Sequence, residues 1–484
     1  MIYMLMAVVF VLGYLAIALE HNIHIDKAAS ALLTAALVWT LLVFGADVLL
    51  SSHLAEAGAH AAGAAGGHGG TSQFLNTELR HHLAEIAEIL FFLMGAMTIV
   101  ELIDAHDGFA AITNRIQTTK ATTLLWIIGI LTFFFSALLD NLTTTIVMVS
   151  LLRKLISDKE MRWLFVGMVV IAANAGGAWS PIGDVTTTML WIGHQISASS
   201  IIVNIIVPSI VAAVVPIAFL TLKLKGKTIT RPALDENVAG HASGVSSHGN
   251  SVNKEPGELP ITPATRLTVL FLGLGALAFV PVFKTVTHLP PYMGILFGLS
   301  LLWIYTEINH RNQHKEIKQQ LTVIGVLSKI DMPSILFFLG ILLAVSGLAT
   351  AGHLRDMAQW LDATFGNLYV INVLIGLLSS LVDNVPLVAG AMKMYPLVSE
   401  AALAGLTGEE LARTSQFVLD GNFWQFLAYC AGTGGSCLII GSAAGVAAMG
   451  MERIPFMWYL KRISLLAVLG YLAGAAVYIA IHVM

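Results

Sequence analysis

A chain of 484 residues with 57% hydrophobic and only 11% charged residues, and a mean hydropathy of +0.81, falls well below the roughly 25% charged content of soluble domains. It belongs in a membrane. The formal net charge of −4 is too small to hold a charged macromolecule, and no basic patch interleaved with aromatics points to nucleic acid.

Long uncharged runs set the order of elements, since a crossing helix needs roughly 17–25 apolar residues. Spans are predicted near 2–20 and 28–50, then a Gly/Ala/His-rich loop at 51–75 and a third span near 84–104. The first run lacks a basic leader and a small-residue cleavage site, so it reads as a retained span. An amphipathic piece, 105–120, leads into 121–155, which is apolar on both sides of Asp140-Asn141 and ends in Arg153-Lys154. That pattern predicts a helical hairpin turning inside the membrane. Residues 162–195 form a span interrupted by Asn174-Ala-Gly-Gly-Ala-Trp-Ser-Pro181-Ile-Gly-Asp184, and 200–222 is a further span.

The composition then changes. Residues 223–262 are rich in Lys, Gly, Ser, Asn and Pro and form the one convincing linker. After it the same order returns, with spans near 264–284, 290–308 and 332–350 and an amphipathic piece at 353–364. A hairpin around Asp383-Asn384, an interrupted span at 420–450 containing Thr433-Gly-Gly-Ser436, and a last helix at 462–482 complete the series.

Three matches mark a duplication. Ser136-Ala-Leu-Leu-Asp140-Asn141 resembles Ser379-Ser-Leu-Val-Asp383-Asn384, Ile89-Leu-Phe-Phe-Leu93 is repeated at 335–339, and the Gly-Gly pairs at 176–177 and 434–435 correspond. Five crossings per half is an odd number, so the second half sits upside down, the inverted-repeat plan of secondary transporters. The expected fold is an all-α membrane protein of about ten spans plus two re-entrant hairpins: residues 1–222 and 263–484 as the two repeats, 223–262 as linker. Charge agrees: with the linker inside, 20 of the 25 Lys and Arg lie on that side, as cytoplasmic loops require. The linker is then cytoplasmic, both termini are outside, and the cytoplasmic membrane is the expected location.

Irregular backbone at membrane depth survives only where it lines a cavity or is buried in protein. Gly176, Gly177, Gly183, Gly434 and Gly435 allow positive φ or close approach, and Pro181 stops a helix. Asp140, Asp184 and Asp383 supply charge. Asn141, Thr143, Thr144, Asn174, Ser180, Thr186, Thr187, Asn384, Thr433, Ser436 and Ser442 supply neutral oxygens or donors nearby. Hard oxygens with carboxylates suit a small hard cation. A charge at membrane depth is functional by default, and a desolvated carboxylate holds its proton more tightly. Cation and proton then compete for one group, expected to be Asp140, and a carrier that crosses loaded with either but not empty is an antiporter. No resident cofactor is expected; the ions are cargo.

Blander roles stand beside these. Asp140, Asp184 and Asp383 can each cap the helix that follows. Ser136 and Ser379, one turn before each aspartate, either bond their own helix backbone or support the site. His81 and Glu88 share a helical face and, with Glu101, form a candidate pH-sensing or ion-access cluster, or a solvated helix end. The loop histidines His53, His60 and His68 read as solvated, and Lys393 as a snorkelling or gate residue. Cys430 and Cys437 read as packing residues.

The motifs Asp140-Asn-Leu-Thr-Thr144, Asn174 to Thr188 and Ser380-Leu-Val-Asp-Asn-Val-Pro386 resemble the ion transporter superfamily, most closely its NhaD-type sodium/proton antiporters, over nearly the whole chain. The resemblance implies exchange of Na+ or Li+ for H+, a homodimer, and a unit of hairpins and broken helices moving against a scaffold. It places the ion site at Asp140, Asn141, Asn174, Asp184, Thr186, Thr187, Asp383 and Asn384, with Ser136 and Ser379 in support. Competing readings are an anion carrier for citrate, dicarboxylate or arsenite on the same fold, disfavoured by three aspartates and no arginine, and an intramembrane aspartyl protease, whose Tyr-Asp and Gly-x-Gly-Asp sequences are missing. A channel would not need duplicated hairpins with titratable tips.

Overall fold

The computed structural model describes residues 1–18, 20–49, 68–109, 116–230, 261–311, 313, 318 and 320–482. Most of the loop at 51–75, with His53 and His60, part of the piece at 105–120, and residues 231–260 of the linker lie outside the described residues.

Helices α1 (Ile2–Ala18), α2 (Lys27–Leu49) and α3 (His68–Ala105) precede two broken pairs, α4 (Ala121–Leu139) with α5 (Asn141–Leu155) and α6 (Lys159–Ala178) with α7 (Val185–Ile192). Helix α8 (Ala198–Leu224) closes this series. The second series runs α9 (Pro263–Thr287), α10 (Pro291–His310), α11 (Met332–Thr350), α12 (His353–Phe365), α13 (Leu368–Leu378), α14 (Asn384–Met394), α15 (Asn422–Gly434), α16 (Ala443–Glu452) and α17 (Phe456–His482).

Among the described residues, nine helices are long and apolar enough to cross a membrane: α2, α3, α4, α6, α8, α9, α10, α11 and α17. The chain is a multi-pass membrane protein. By length alone this differs from the ten expected spans. Helix α1 is a shorter apolar helix, and 420–450 is split into α15 and α16 because Gly434-Gly-Ser-Cys-Leu-Ile-Ile-Gly-Ser442 does not continue the helix. Conversely α4, expected as a hairpin arm, has 19 residues, enough by itself. The third span also starts earlier than expected, because a polar helical extension precedes its apolar part. Helix α12 is amphipathic, with Leu354 and Ala358 buried and Trp360 exposed. It meets α13 at 116° through Gly366, whose φ of 64° suits glycine, as expected of a helix lying along a membrane surface.

Helix α6 is the most enclosed span, and α4, α5, α8, α15 and α16 pack around it. Contacts come in matched pairs: α1 on α2 and α9 on α10, α2 on α11 and α10 on α3, α4 on α6 and α13 on α15, with α8 against α17. Both ends of the α4–α5 pair meet one strip of chain beyond α8. Ala121 N–H donates to Lys227 O (3.1 Å), Ile229 N–H to Thr119 O (2.8 Å), and Ser157 N–H to Thr230 O (2.9 Å). The chain therefore enters and leaves this pair at the same end of the molecule.

The arms lie backbone to backbone on the broken helices. A Cβ on Gly176 would sit 2.1 Å from Phe133 O on α4, and one on Gly434 would sit 2.0 Å from Gly376 O on α13. Neither glycine has positive φ, so close approach is the reason for both. Replacing Gly176 or Gly434 by Ala should push a hairpin arm off its helix and sharply lower the yield of monodisperse protein after detergent extraction. Gly275, where a Cβ meets open space, should accept Ala without loss.

At the end of α3, His106 Nε2 lies 3.0 Å from His310 Nε2 on α10. His106 Nδ1 is 2.7 Å from Leu102 O and must donate there, so its Nε2 accepts from His310. Burial pushes the His106 imidazole down to about 4. The unfolded chain protonates histidine near pH 6.5, so between about 6.5 and 4 unfolding takes up a proton and stability falls as pH falls. The thermal midpoint should drop across that window, and drop less in His106→Gln.

Candidate ion site at the helix breaks

Four helices start inside the protein, three of them capped by the aspartates expected there and the fourth by Ser442. Thr143 N–H and Thr143 Oγ1 donate to the two oxygens of Asp140, both at 2.8 Å. Thr186 N–H (2.8 Å) and Thr186 Oγ1 (2.7 Å) donate to Asp184 Oδ1. Val385 N–H lies 3.5 Å from Asp383 Oδ1, and Gly445 N–H donates to Ser442 Oγ at 3.2 Å. The capping reading thus holds for all three aspartates. It leaves lone pairs free in each case. Asp140 also has φ of 84°, where a non-glycine residue carries about 1–3 kcal/mol of strain.

The caps converge on Asp184, which is 1% exposed. Asn141 Nδ2 donates to its Oδ2 at 2.7 Å and to Asn174 Oδ1 at 3.0 Å. Asn384 Nδ2 lies 3.3 Å from both Asp184 oxygens. Asn174 Nδ2 donates onward to Ser436 Oγ (3.0 Å) and Ser442 Oγ (2.9 Å). One hydrogen-bonded chain therefore joins residues from 141 to 186 with residues from 384 to 442. Among the described residues no Lys or Arg pairs with Asp184. Its charge is met by amides and a hydroxyl.

Asp140 and Asp383 stand beside this hub. With Asn141, Thr143 and Lys27 they line a cavity of about 60 Å³, room for a few waters. Thr144 is buried and its hydroxyl has no partner among the described residues. The remaining expected residues hold backbone. Ser136 Oγ donates to Ala173 O (2.5 Å) and Ser379 Oγ to Ala431 O (3.0 Å), so each serine ties its hairpin to the broken helix and neither bonds its own turn. Ser180 donates to Ala137 O (2.5 Å), Thr187 to Asp184 O (2.9 Å) and Thr433 to Tyr429 O (2.6 Å).

The expected cluster of His81, Glu88 and Glu101 is divided. His81 and Glu88 line a cavity of about 450 Å³ with His194 and Lys393. Glu101 lines another of about 340 Å³ with Asp104, Thr143, Lys329 and Asp331. Thirteen residues of helix separate Glu88 from Glu101, a rise of about 20 Å. Sequence reasoning missed Lys27 as a cavity residue, since a lysine at a helix start ordinarily reads as solvated. It also missed the pairing of Lys393 with Glu85 at 2.9 Å, although Glu85 lies on the His81 face and one helical turn from it.

A buried carboxylate bound by two arginines, Arg153 47% and Arg162 17% exposed, frames the site. Glu452, at the end of α16, accepts from Arg153 Nε (2.7 Å) and Arg162 Nε (2.8 Å). Breaking such a pair leaves a buried charge and costs about 3–5 kcal/mol, so α5, α6 and α16 behave as one body. Among the described residues no group of three His, Cys, Asp or Glu could hold a metal ion. One carboxylate among amide and hydroxyl oxygens suits a hard cation better than a transition metal. Replacing Asn174 by Ala would leave several buried groups without partners, at about 1–3 kcal/mol each. Thermal unfolding in detergent should show a clearly lowered midpoint; an unchanged one would mean that water fills the gap at no cost.

Comparison with known proteins adds to this geometry. The chain matches the family described as "Citrate transporter" over residues 4–417. It is 45% identical over 481 residues to sodium/proton antiporter 1 of Arabidopsis thaliana, an alignment covering 99% of this chain and 72% of that protein. Sodium/proton antiporter 2 of the same plant is 43% identical over 480 residues, with 99% of each chain covered. The Na(+)/H(+) antiporter NhaD of Vibrio cholerae is 28% identical over 505 residues, covering 98% and 91%.

Proposed function

The chain belongs to the citrate-transporter family, with sodium/proton antiporters among its full-length relatives, and from that membership we propose that it is a secondary transporter exchanging Na+, and Li+, for H+. The observation that carries this reading is Asp184: a carboxylate shut away from water, faced by three donor side chains and, among the described residues, by no Lys or Arg. Asn141 and Asn384 turn N–H groups to it. A cation arriving there replaces those donors, and rotation of the amides turns their oxygens towards it. A proton neutralises the same carboxylate, so cation and proton exclude each other. Asp140 and Asp383 flank the cavity and hold the approaching cation, with Thr143 and Thr144 adding oxygens.

The matched helix contacts support two inverted repeats, 1–222 and 263–484, joined by the linker 223–262. Their hairpins would enter from opposite faces of the cytoplasmic membrane, with the linker inside and both termini outside. A homodimer remains part of the proposal through the resemblance. The family's description favours a second reading, transport of citrate. A tricarboxylate needs basic partners and far more room than about 60 Å³, and Lys27 is the one basic residue lining that cavity.

The deciding experiment follows an imposed pH gradient in everted vesicles or liposomes on adding Na+, Li+, K+ or citrate. Na+ and Li+ should dissipate it between pH 6 and 9, and Asp184→Asn should reduce the response to background while the protein remains folded in the membrane. A response to citrate with none to Na+ or Li+ would replace the proposal by its alternative.

A further inference from the structure

The cavities lined by Glu88 and by Glu101 differ in their connection to the site. The one of about 340 Å³ shares Lys27, Leu142, Thr143, Ser334 and other lining residues with the central cavity, whereas the one of about 450 Å³ shares none. The site is thus open towards one face and closed towards the other.

Two lysines bridge helices on the closed side. Lys393 Nζ, in the last turn of α14, lies 2.9 Å from Glu85 Oε2 on α3. Lys284 Nζ, near the end of α9, donates to Trp191 O at 2.9 Å and lies 4.6 Å from the centre of the Trp191 ring, in the last turn of α7. Helices α14 and α7 carry Asn384 and Asp184 at their first turns. Each lysine therefore grips the far end of a short helix whose near end forms the ion site. On the open side, among the described residues, no ion pair or side-chain hydrogen bond joins α5 or α16 to α3 or α11.

We propose that Lys393 and Lys284 form a gate, holding α14 and α7 against α3 and α9 while the site faces the other side, and releasing them when it turns. The proposal rests on the exchange reading, since only a carrier needs alternating access. Glu88, one turn beyond Glu85, lines the same cavity and receives Lys284 when Trp191 withdraws. Strength fits the task. The Lys393 and Glu85 side chains are 32% and 45% exposed, so solvent weakens their attraction and the pair can open at every cycle. Glu452 differs in that its carboxylate is only 1% exposed, with Arg153 at 47% and Arg162 at 17%, so water cannot readily take the arginines' place on it. The lysines act through the helices they hold and are positioning residues.

The test reads access without requiring transport. A single reporter, Met97→Cys, lines both the central cavity and the one of about 340 Å³ that adjoins it, while Cys430 and Cys437 are buried and stay silent. In the full chain in sealed vesicles of known orientation, a membrane-impermeant thiol reagent should label the reporter from the open side only. Adding Lys284→Met and Lys393→Met should raise labelling from the other side about tenfold. The charge exchange Glu85→Lys with Lys393→Glu, with Lys284 intact, should keep labelling at the level of the reporter alone, whereas Lys393→Met by itself should raise it. Labelling that ignores the lysines, or an exchanged pair that labels as fast as Lys393→Met, overturns the gate. Loss of Na+-driven proton flux with the labelling pattern intact would instead overturn the exchange reading.

Discussion

A carboxylate with no Lys or Arg beside it among the described residues, placed where water is excluded, is the constraint on which the architecture depends. Asp184 is tolerable only because donors reach it from several directions at once: Thr186 from its own helix, Asn141 from the first hairpin, Asn384 from the second. Those three groups come from helix N-termini, where backbone N–H groups are already oriented and the helix dipole favours negative charge. Broken helices are thus a means of aiming several N-termini at one point in an environment that forbids loose backbone.

That aiming requires the broken elements to lie closer together than ordinary helices do. Gly176 and Gly434 occupy matching places, each under a carbonyl of the adjoining hairpin arm. Ser136 and Ser379 then fasten each arm to a carbonyl one turn away on the same broken helix. The same two devices appear in both series of helices, and so do the capping aspartates Asp140 and Asp383, but Asp184 caps α7 where Ser442 caps α16. The framework is shared, and the first series carries one more carboxylate at its breaks.

Much of this was legible in the residues. The hydrophobic runs, the doubled Asp-Asn motif and the Gly-Gly breaks located nearly every helix and most of the residues that meet at the candidate site, because charge and glycine in an apolar chain carry strong physical penalties. What escaped was three-dimensional partnership. Nothing local distinguishes Asp184 as the hub and Asp140 as its neighbour, since both look like helix caps and both are. Nor does spacing reveal that Ser136 bonds a helix 37 residues on, or that Glu101 faces a different cavity from Glu88. Lys27 illustrates the limit, a basic residue at a helix start that the packing of other helices turns into part of a cavity.

The ion triad around Glu452 bears on how such a chain is made. Arg153 and Arg162 find their carboxylate 299 and 290 residues later, after a second series of helices has been synthesised and inserted. Until then their charges need water or lipid headgroups, so α5 and α6 must keep their ends at the bilayer surface and cannot adopt their final packing. Biogenesis therefore leaves the first half waiting, and its closure is completed only when α16 has been made and inserted.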